Sequence, residues 1–574
     1  MSRVSILLVA AISIMACAQT MPQPAAPRTW RVPLTPCKAE DGRVDAMCGR
    51  YEVFEDRLAG SGRKIKLNLM VLPATSEKHE PDPVFLIDGG PGDSAVQDLP
   101  EFGELFRTKR DVVLIDQRGA GGSNHLGCDF NSGLATSFAR IVPLDRVKPC
   151  VKELEKIADL RFYTTSIAMD DLDEVRAALG YDRINVWGGS YGSTAALDYL
   201  RRHGNHVRTI TVEGVIPTGY RAPLPFPYTI QRSLEGVFDR CAADEKCRGA
   251  FPRLREEFQA VLDRLGKAPA TFTFTAGAAS MKEAVEITLT RDMFTDFLRR
   301  ILYSPLAIDM MPSAIHCAYN GDFEPYALLC YRLSIRPNQD SVAFGLYHSI
   351  ICSESIPFIT DEEVALAKKK TWVGDSRIRT QREVCSAWPR ANVPRSFIDP
   401  VRSDKPVLLL SGDLDPAAQP EYAAAAATYL THSRHVVVHN ASHSLFSTCT
   451  SSLVVRFIDS GSAEGLDTSC IDKIKLPPFK LLELKAIAVP QKILKDYVGT
   501  YEVTPSFNVA ITLENGTLME QATGQDKLPI FAESETIFFL KAVDAQVEFF
   551  KNEKGEVTHL VVHAYGHDTK GVRR

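Results

Sequence analysis

The sequence predicts a mostly parallel α/β sheet, with a large, mainly helical insertion and a small antiparallel β domain after it. Three observations carry this prediction. Apolar runs at 83–88, 111–116, 183–187 and 207–213 alternate with helical patterns, as strands buried on both faces of a parallel sheet do. That alternation stops near Ile216 and resumes at Lys405. From about Lys492 the texture changes to short alternating strands separated by Asn515-Gly516 and Lys554-Gly555.

Taken in order, the chain opens with Arg3 and an apolar run from Val4 to Met15. Twelve residues fall short of the roughly 20 a membrane-spanning helix needs, and they suit a signal peptide over residues 1–18. Ala16-Cys17-Ala18 reads as a cleavage site, and Ile14-Met15-Ala16-Cys17 reads equally as a lipobox that would lipidate Cys17. Export is expected either way, to the periplasm or the outside, with Cys17 the only route to a membrane. Proline-rich residues 19–35 read as a linker. The first sheet portion covers 36–215 and starts antiparallel, with strands over 49–56 and 64–72. Residues 166–180 are expected to be helical, stopped by Gly180. The insertion spans 216–404, with helices over 231–242 and 253–265 and a hairpin over 271–275 and 284–290. The sheet returns over 405–485, with strands at 406–411 and 434–439, and the β domain occupies 490–574.

The bulk numbers exclude several classes. A net charge of −5 over 574 residues provides no basis for a nucleic-acid surface. Setting Cys17 aside from thirteen cysteines leaves twelve, enough for six bridges in an oxidising compartment. Local pairs are Cys37 with Cys48, Cys128 with Cys150, Cys241 with Cys247, and Cys449 with Cys470. No Cys/His cluster has zinc-like spacing, so neither a metal nor another cofactor is expected. His203 with His206, and His559 with His563, lack an acidic neighbour in sequence and read as solvated.

The chemistry centres on Gly188-Gly189-Ser190-Tyr191-Gly192, a Gly-x-Ser-x-Gly turn between an apolar strand and a helical pattern. Alone the motif is weak. A serine nucleophile needs a base and an orienting carboxylate, and in a nucleophile-elbow enzyme these follow as acid, then histidine. Asp415 and His443 each follow a predicted strand, in that order. Asp413 shares the turn with Asp415 and is an alternative acid, while His439 reads as a packed strand-end histidine. The oxyanion hole calls for the amide after the nucleophile, Tyr191, and one from the glycine run after the third core strand, Gly90, with Gly89 close behind. Ser61-Gly62-Arg63-Lys64 matches Ser-x-x-Lys but lies in a polar turn, where that motif requires a helix start.

Asp88-Gly89-Gly90-Pro91-Gly92, Asp116-Gln117-Arg118-Gly119-Ala120-Gly121-Gly122-Ser123, Gly188-Gly189-Ser190-Tyr191-Gly192 and Gly412-Asp413-Leu414-Asp415-Pro416 together resemble the proline iminopeptidase and tripeptidyl aminopeptidase family. The resemblance covers roughly 49–470, and residues after Lys492 resemble β domains appended to bacterial serine hydrolases. It implies an α/β-hydrolase core under a helical cap, and a serine exopeptidase that acts on peptides with a free N-terminus. It also implies acidic side chains that bind the substrate ammonium, for which Glu213 and Glu354 are candidates. Asp88 departs from the family, which usually has histidine there. A carboxylate at that place either disfavours a developing oxyanion or pairs with Arg118. An esterase or amidase using the same triad is the alternative activity.

Overall fold

The computed structural model describes residues 30–39, 43–128, 130, 134–274, 284–334, 342–481, 487–505, 507–532, 534–540, 545–552, 554–564 and 567–574. The predicted signal segment and most of the linker lie outside these residues. Trp30 already packs against the core, its indole donating to the Tyr181 hydroxyl at 3.1 Å. Leu34 and Thr35, expected in the linker, belong instead to the first strand, because Leu34 pairs with Gly49 across a strand edge.

One nine-stranded sheet organises the molecule. Its strands are β1 (Leu34–Ala39), β2 (Val44–Phe54), β3 (Lys64–Leu72), β4 (Val84–Ile87), β5 (Val112–Ile115), β6 (Ile184–Gly189) and β7 (Val207–Glu213). After a two-stranded hairpin, β8 (Ala270–Phe274) with β9 (Val285–Leu289), come β10 (Ser403–Gly412) and β11 (Leu430–Val438). The spatial order is β1-β2-β3-β5-β4-β6-β7-β10-β11. β1, β2, β3 and β5 pair antiparallel, and every pair from β5 through β4 to β11 is parallel. β4 and β5 are buried along their whole length, which explains their unbroken apolar composition.

The helices between β7 and β10 have a hydrophobic core of their own, built around Phe238, Phe258, Phe294 and Ile315. They do not float above the sheet. Helix Phe344–Glu354 contributes Leu346, Ile350 and Ile351 to the sheet's main core instead. The C-terminal strands go further than the sequence indicated: β12 (Gly499–Thr504) to β19 (His567–Arg573) close into an eight-stranded antiparallel barrel. Tyr497, Tyr501, Phe538 and Phe549 fill it, with the Tyr497 and Phe549 rings stacked at 4.1 Å. Among the described residues, no helix is long and apolar enough to cross a membrane.

All four expected disulfides form, and Cys352–Cys385 adds a fifth. The sixth fails because Cys317 and Cys330 remain thiols. Cys352–Cys385 was not legible from local spacing, because the two residues sit on different helices, Phe344–Glu354 and Ser376–Ser386.

Candidate active site

Ser190 sits between β6 and helix Tyr191–His203 with φ 54° and ψ −123°, a conformation that costs energy for any residue but glycine. Its glycine neighbours make the turn sterically feasible. A Cβ on Gly188 would lie 2.2 Å from the Gly192 carbonyl oxygen, and one on Gly192 would lie 2.3 Å from the Ile87 carbonyl oxygen. The Ser190 amide donates to the Glu213 carbonyl at the end of β7 (2.9 Å), which locks the elbow against the neighbouring strand.

The next residue, Gly214, leads to the base. A Cβ there would stand 3.1 Å from His443 Cε1 and 3.7 Å from Asp415 Oδ2. His443 Nδ1 and Asp415 Oδ2 are 2.8 Å apart, and Asp415 is fully buried. Its other oxygen accepts the amides of Ala417 (2.7 Å) and Ala418 (2.8 Å), so the carboxylate is fixed by three donors. The alternative acid and base pair with each other, Asp413 Oδ2 to His439 Nδ1 at 3.2 Å. His439 is an exposed side chain, not a packed one, because its strand has already ended.

The insertion holds both loops, which sequence reasoning missed. Ser233 donates to the Leu414 carbonyl (2.6 Å), Thr229 to the Pro416 carbonyl (2.7 Å), and Tyr220 to the Ala417 carbonyl (2.5 Å). Ser442, beside His443, donates to the Leu302 carbonyl. The Tyr303 ring stacks on the His443 imidazole with centroids 4.4 Å apart. Single serines, threonines and tyrosines inside helical patterns give no local signal of such long-range contacts.

On the opposite side lies the turn after β4. Gly89 approaches the elbow, its Cβ position 3.2 Å from Ser190 Cβ. Its amide is already taken by Asp88 Oδ1 at 2.7 Å, whereas the amides of Gly90 and Tyr191 have no protein partner among the described residues. Gly90 therefore fits the hole better than Gly89. Asp88 does not pair with Arg118, which is buried and bidentate on Asp171 at 2.6 and 2.9 Å. Burial, with Asp93 nearby, pushes the Asp88 carboxyl up to about 7, and its Oδ2 is buried without a hydrogen bond. Burial and Asp98 raise Asp93 to about 6.

The two predicted ammonium ligands part company. Glu213 Oε1 accepts the Trp187 indole hydrogen at 2.9 Å, and burial raises its carboxyl to about 7. Around it, Trp187 meets Phe102 (4.6 Å) and Phe446 (6.3 Å), and Phe446 is 56% exposed. Glu354 has different partners. Both its oxygens are engaged by Thr165, through the amide (2.6 Å) and the hydroxyl (2.7 Å), and burial raises it to about 8. Thr165 links it to the elbow, its hydroxyl meeting the Tyr191 hydroxyl at 2.9 Å.

His203 and His206 do have acidic neighbours, supplied by another helix. His203 Nε2 meets Asp170 Oδ1 (2.9 Å) and His206 Nδ1 meets Asp173 Oδ1 (2.7 Å). Asp173, His203 and His206 are close enough for one ion, but Arg176 and Tyr199 occupy the same carboxylate.

Comparison with known proteins bears on the fold. Residues 82–273 match the family described as alpha/beta hydrolase fold, and 370–470 match a TAP-like protein family. Residues 483–573 match a domain of unknown function. The serine protease Hip1 of Mycobacterium tuberculosis is 26% identical over 274 residues, which is 42% of this chain and 50% of that protein. The proline iminopeptidase of Neisseria gonorrhoeae is 29% identical over 143 residues, 24% of this chain and 35% of that protein. The aligned stretch thus spans about half the length of the first of these relatives, or less. Among solved structures, a proline iminopeptidase from Mycobacterium smegmatis covers 72% of this chain and 98% of its own at 15% identity, with a TM-score of 0.33. The chain is built on an α/β hydrolase fold that closes with a TAP-like stretch and carries a separate β-barrel at its C-terminus.

Proposed function

We propose that this protein is an exported serine aminopeptidase that releases N-terminal residues or short peptides through an acyl-enzyme on Ser190. The observation that carries it is the Asp415–His443 pair, 2.8 Å apart, set beside a strained serine elbow. In this reading Asp415 holds His443 Nδ1–H and fixes the tautomer, so that Nε2 takes the Ser190 proton as Oγ attacks the scissile carbonyl. The Tyr191 and Gly90 amides receive the oxyanion. His443 then protonates the departing amine, and water, activated by the same imidazole, hydrolyses the ester.

The peptidase relatives and the acid-rich wall around Ser190 support a substrate with a free N-terminus. Glu213 is the better ammonium ligand, because the Thr165 contacts of Glu354 leave that carboxylate engaged. The aromatic rim of Trp187, Phe102 and Phe446 beside Glu213 suits an apolar first side chain. Five disulfides fit an oxidising compartment, consistent with a signal peptide over residues 1–18 or a lipid anchor at Cys17.

Chromogenic substrates in free and N-blocked pairs test the activity. An aminopeptidase cleaves the free forms and leaves the blocked ones. Preference for blocked or simple ester substrates would instead establish the esterase reading. Fractionation of cells expressing the full chain, with and without residues 1–18, tests export.

A further inference from the structure

Asp415 holds one edge of the His443 imidazole and leaves the plane of the ring to other contacts. A single hydrogen bond, Asp415 Oδ2 to Nδ1 at 2.8 Å, permits the ring to turn about its own axis. Nε2 can accept the Ser190 proton only over a narrow range of that rotation, because the transfer needs hydrogen-bond geometry. The bare Gly214 backbone closes the Cε1 edge, where a Cβ would stand 3.1 Å away. The face of the imidazole is covered by Tyr303, whose ring lies 4.4 Å off, centroid to centroid, and within 20° of parallel.

Tyr303 is itself firmly held. It follows Leu302, the last residue of helix Arg291–Leu302, and the Leu302 carbonyl accepts from Ser442, the residue before His443. Residues 302 and 303 thus meet residues 442 and 443, one by a hydrogen bond and one by ring stacking. Arg299, one turn back on the helix, donates to the Tyr303 hydroxyl and lies over the Tyr303 ring at 5.3 Å and the Phe226 ring at 4.7 Å. Burial raises the Tyr303 hydroxyl above the usual phenol range, so the ring beside His443 is the neutral phenol. Ile301 and Leu302 are fully buried in the insertion's own core, and close packing there resists displacement of the helix end.

We infer that Tyr303 is a positioning residue for the reaction at Ser190: its ring fixes the plane of the His443 imidazole so that Nε2 faces the serine hydroxyl, and Arg299 fixes Tyr303. This rests on the proposed serine-hydrolase chemistry and deepens it, because it makes the insertion part of the catalytic centre. The chemical steps are unchanged. Nε2 takes the Ser190 proton as Oγ bonds to the carbonyl carbon, and the same proton passes to the departing group. Tyr303 sets the fraction of time the base spends in line, so its effect belongs in kcat and in the rate of acylation, not in KM.

The test uses the full-length protein and a neutral p-nitrophenyl ester, with fluorophosphonate labelling of Ser190 as a second readout. Tyr303→Leu is expected to lower kcat by about 10- to 100-fold with KM within about threefold, and to slow labelling by a similar factor. Tyr303→Phe, which keeps the ring and loses the contact with Arg299, should recover most of that loss. In a His443→Ala background the leucine substitution should change the residual rate by less than about twofold, because an effect carried by the imidazole vanishes with it. Thermal melting identifies the folded variants, and Tyr303→Met takes the place of the leucine variant if that one does not fold. A parent-like kcat in the folded leucine variant, a phenylalanine variant as slow as the leucine one, or the full loss persisting in the His443→Ala background would each overturn the proposal. A parent protein that takes no fluorophosphonate on Ser190 and hydrolyses neither ester nor peptide would instead overturn the hydrolase reading beneath it.

Discussion

Two walls, one built by the turns of the sheet and one by the insertion behind Tyr303, bury charge of opposite sign. The wall built by the sheet presents Asp88, Asp93 and Glu213, carboxylates that burial raises to about 7, 6 and 7. The wall built by the insertion presents Arg299 on the Tyr303 hydroxyl and Arg377 on Asp296, and burial lowers Arg300 to about 10. Burial opposes charge on both sides, but the consequence differs. A carboxyl group can discard its charge by taking a proton near neutral pH, whereas a guanidinium remains charged. The acidic wall is therefore tunable by pH, whereas the arginines of the basic wall stay charged over the same range.

The largest expected effect belongs to the centre that both walls serve. Ser190→Ala is expected to lower turnover by about four to six orders of magnitude, and Asp415→Asn by about four, measured on the best peptide or ester substrate. Near-normal rates in either variant would remove the centre from between the walls.

Glu213→Gln tests the acidic wall next. With its carboxyl raised to about 7, Glu213 becomes ionised as pH rises through 7, so KM for free-N-terminal peptides is expected to fall over that window. The Gln variant should lose this trend and raise KM by about tenfold, as expected for removal of one charged contact. A KM that is flat with pH in the unaltered enzyme would contradict the role.

Asp88 separates the wall's charge from its hydrogen bond. An acid with a raised folded-state pKa costs no stability below its unfolded value of about 3.8 and costs most above its folded value, here about 7. Asp88→Asn keeps an acceptor for the Gly89 amide and removes the charge. Its thermal stability is expected to match the parent at pH 4 and exceed it at pH 8, and its kcat should decline less on the alkaline side. Asp88→Ala, which loses the acceptor, should lower kcat at every pH.

The smallest effect concerns how firmly the basic wall is held. Cys352–Cys385 joins helix Phe344–Glu354 to helix Ser376–Ser386, which carries Arg377. Replacing both cysteines with alanine is expected to cost about 2–4 kcal/mol of stability while Ser190 remains labelled by a fluorophosphonate in the folded protein. A loss of labelling in the folded variant would mean that the bridge supports the sheet instead.

Much of the sheet was readable from one dimension because its determinants are local. Apolar runs such as Val84–Ile87 and Val112–Ile115 are buried on both faces, and Gly188 is demanded by a contact within the elbow itself. Ser190, Asp415 and His443 could be named in order because each follows a strand that could be recognised. The sequence also allowed Asp413 and His439, and only the fold sorted the four into two pairs, one buried and one exposed. The long-range partners were not legible. Tyr303 on His443, Thr229 and Ser233 on the Asp415 loop, Thr165 on Glu354, and Asp170 and Asp173 beside His203 and His206 all join residues far apart in sequence. Closure of the barrel depends on β12 meeting β19, which no local pattern records. Local periodicity and turn chemistry were thus enough to lay out much of the sheet and to place Ser190, Asp415 and His443 after its strands. Tertiary packing decided which charges share a buried space, because burial and Coulomb energy depend on distances that sequence spacing does not set.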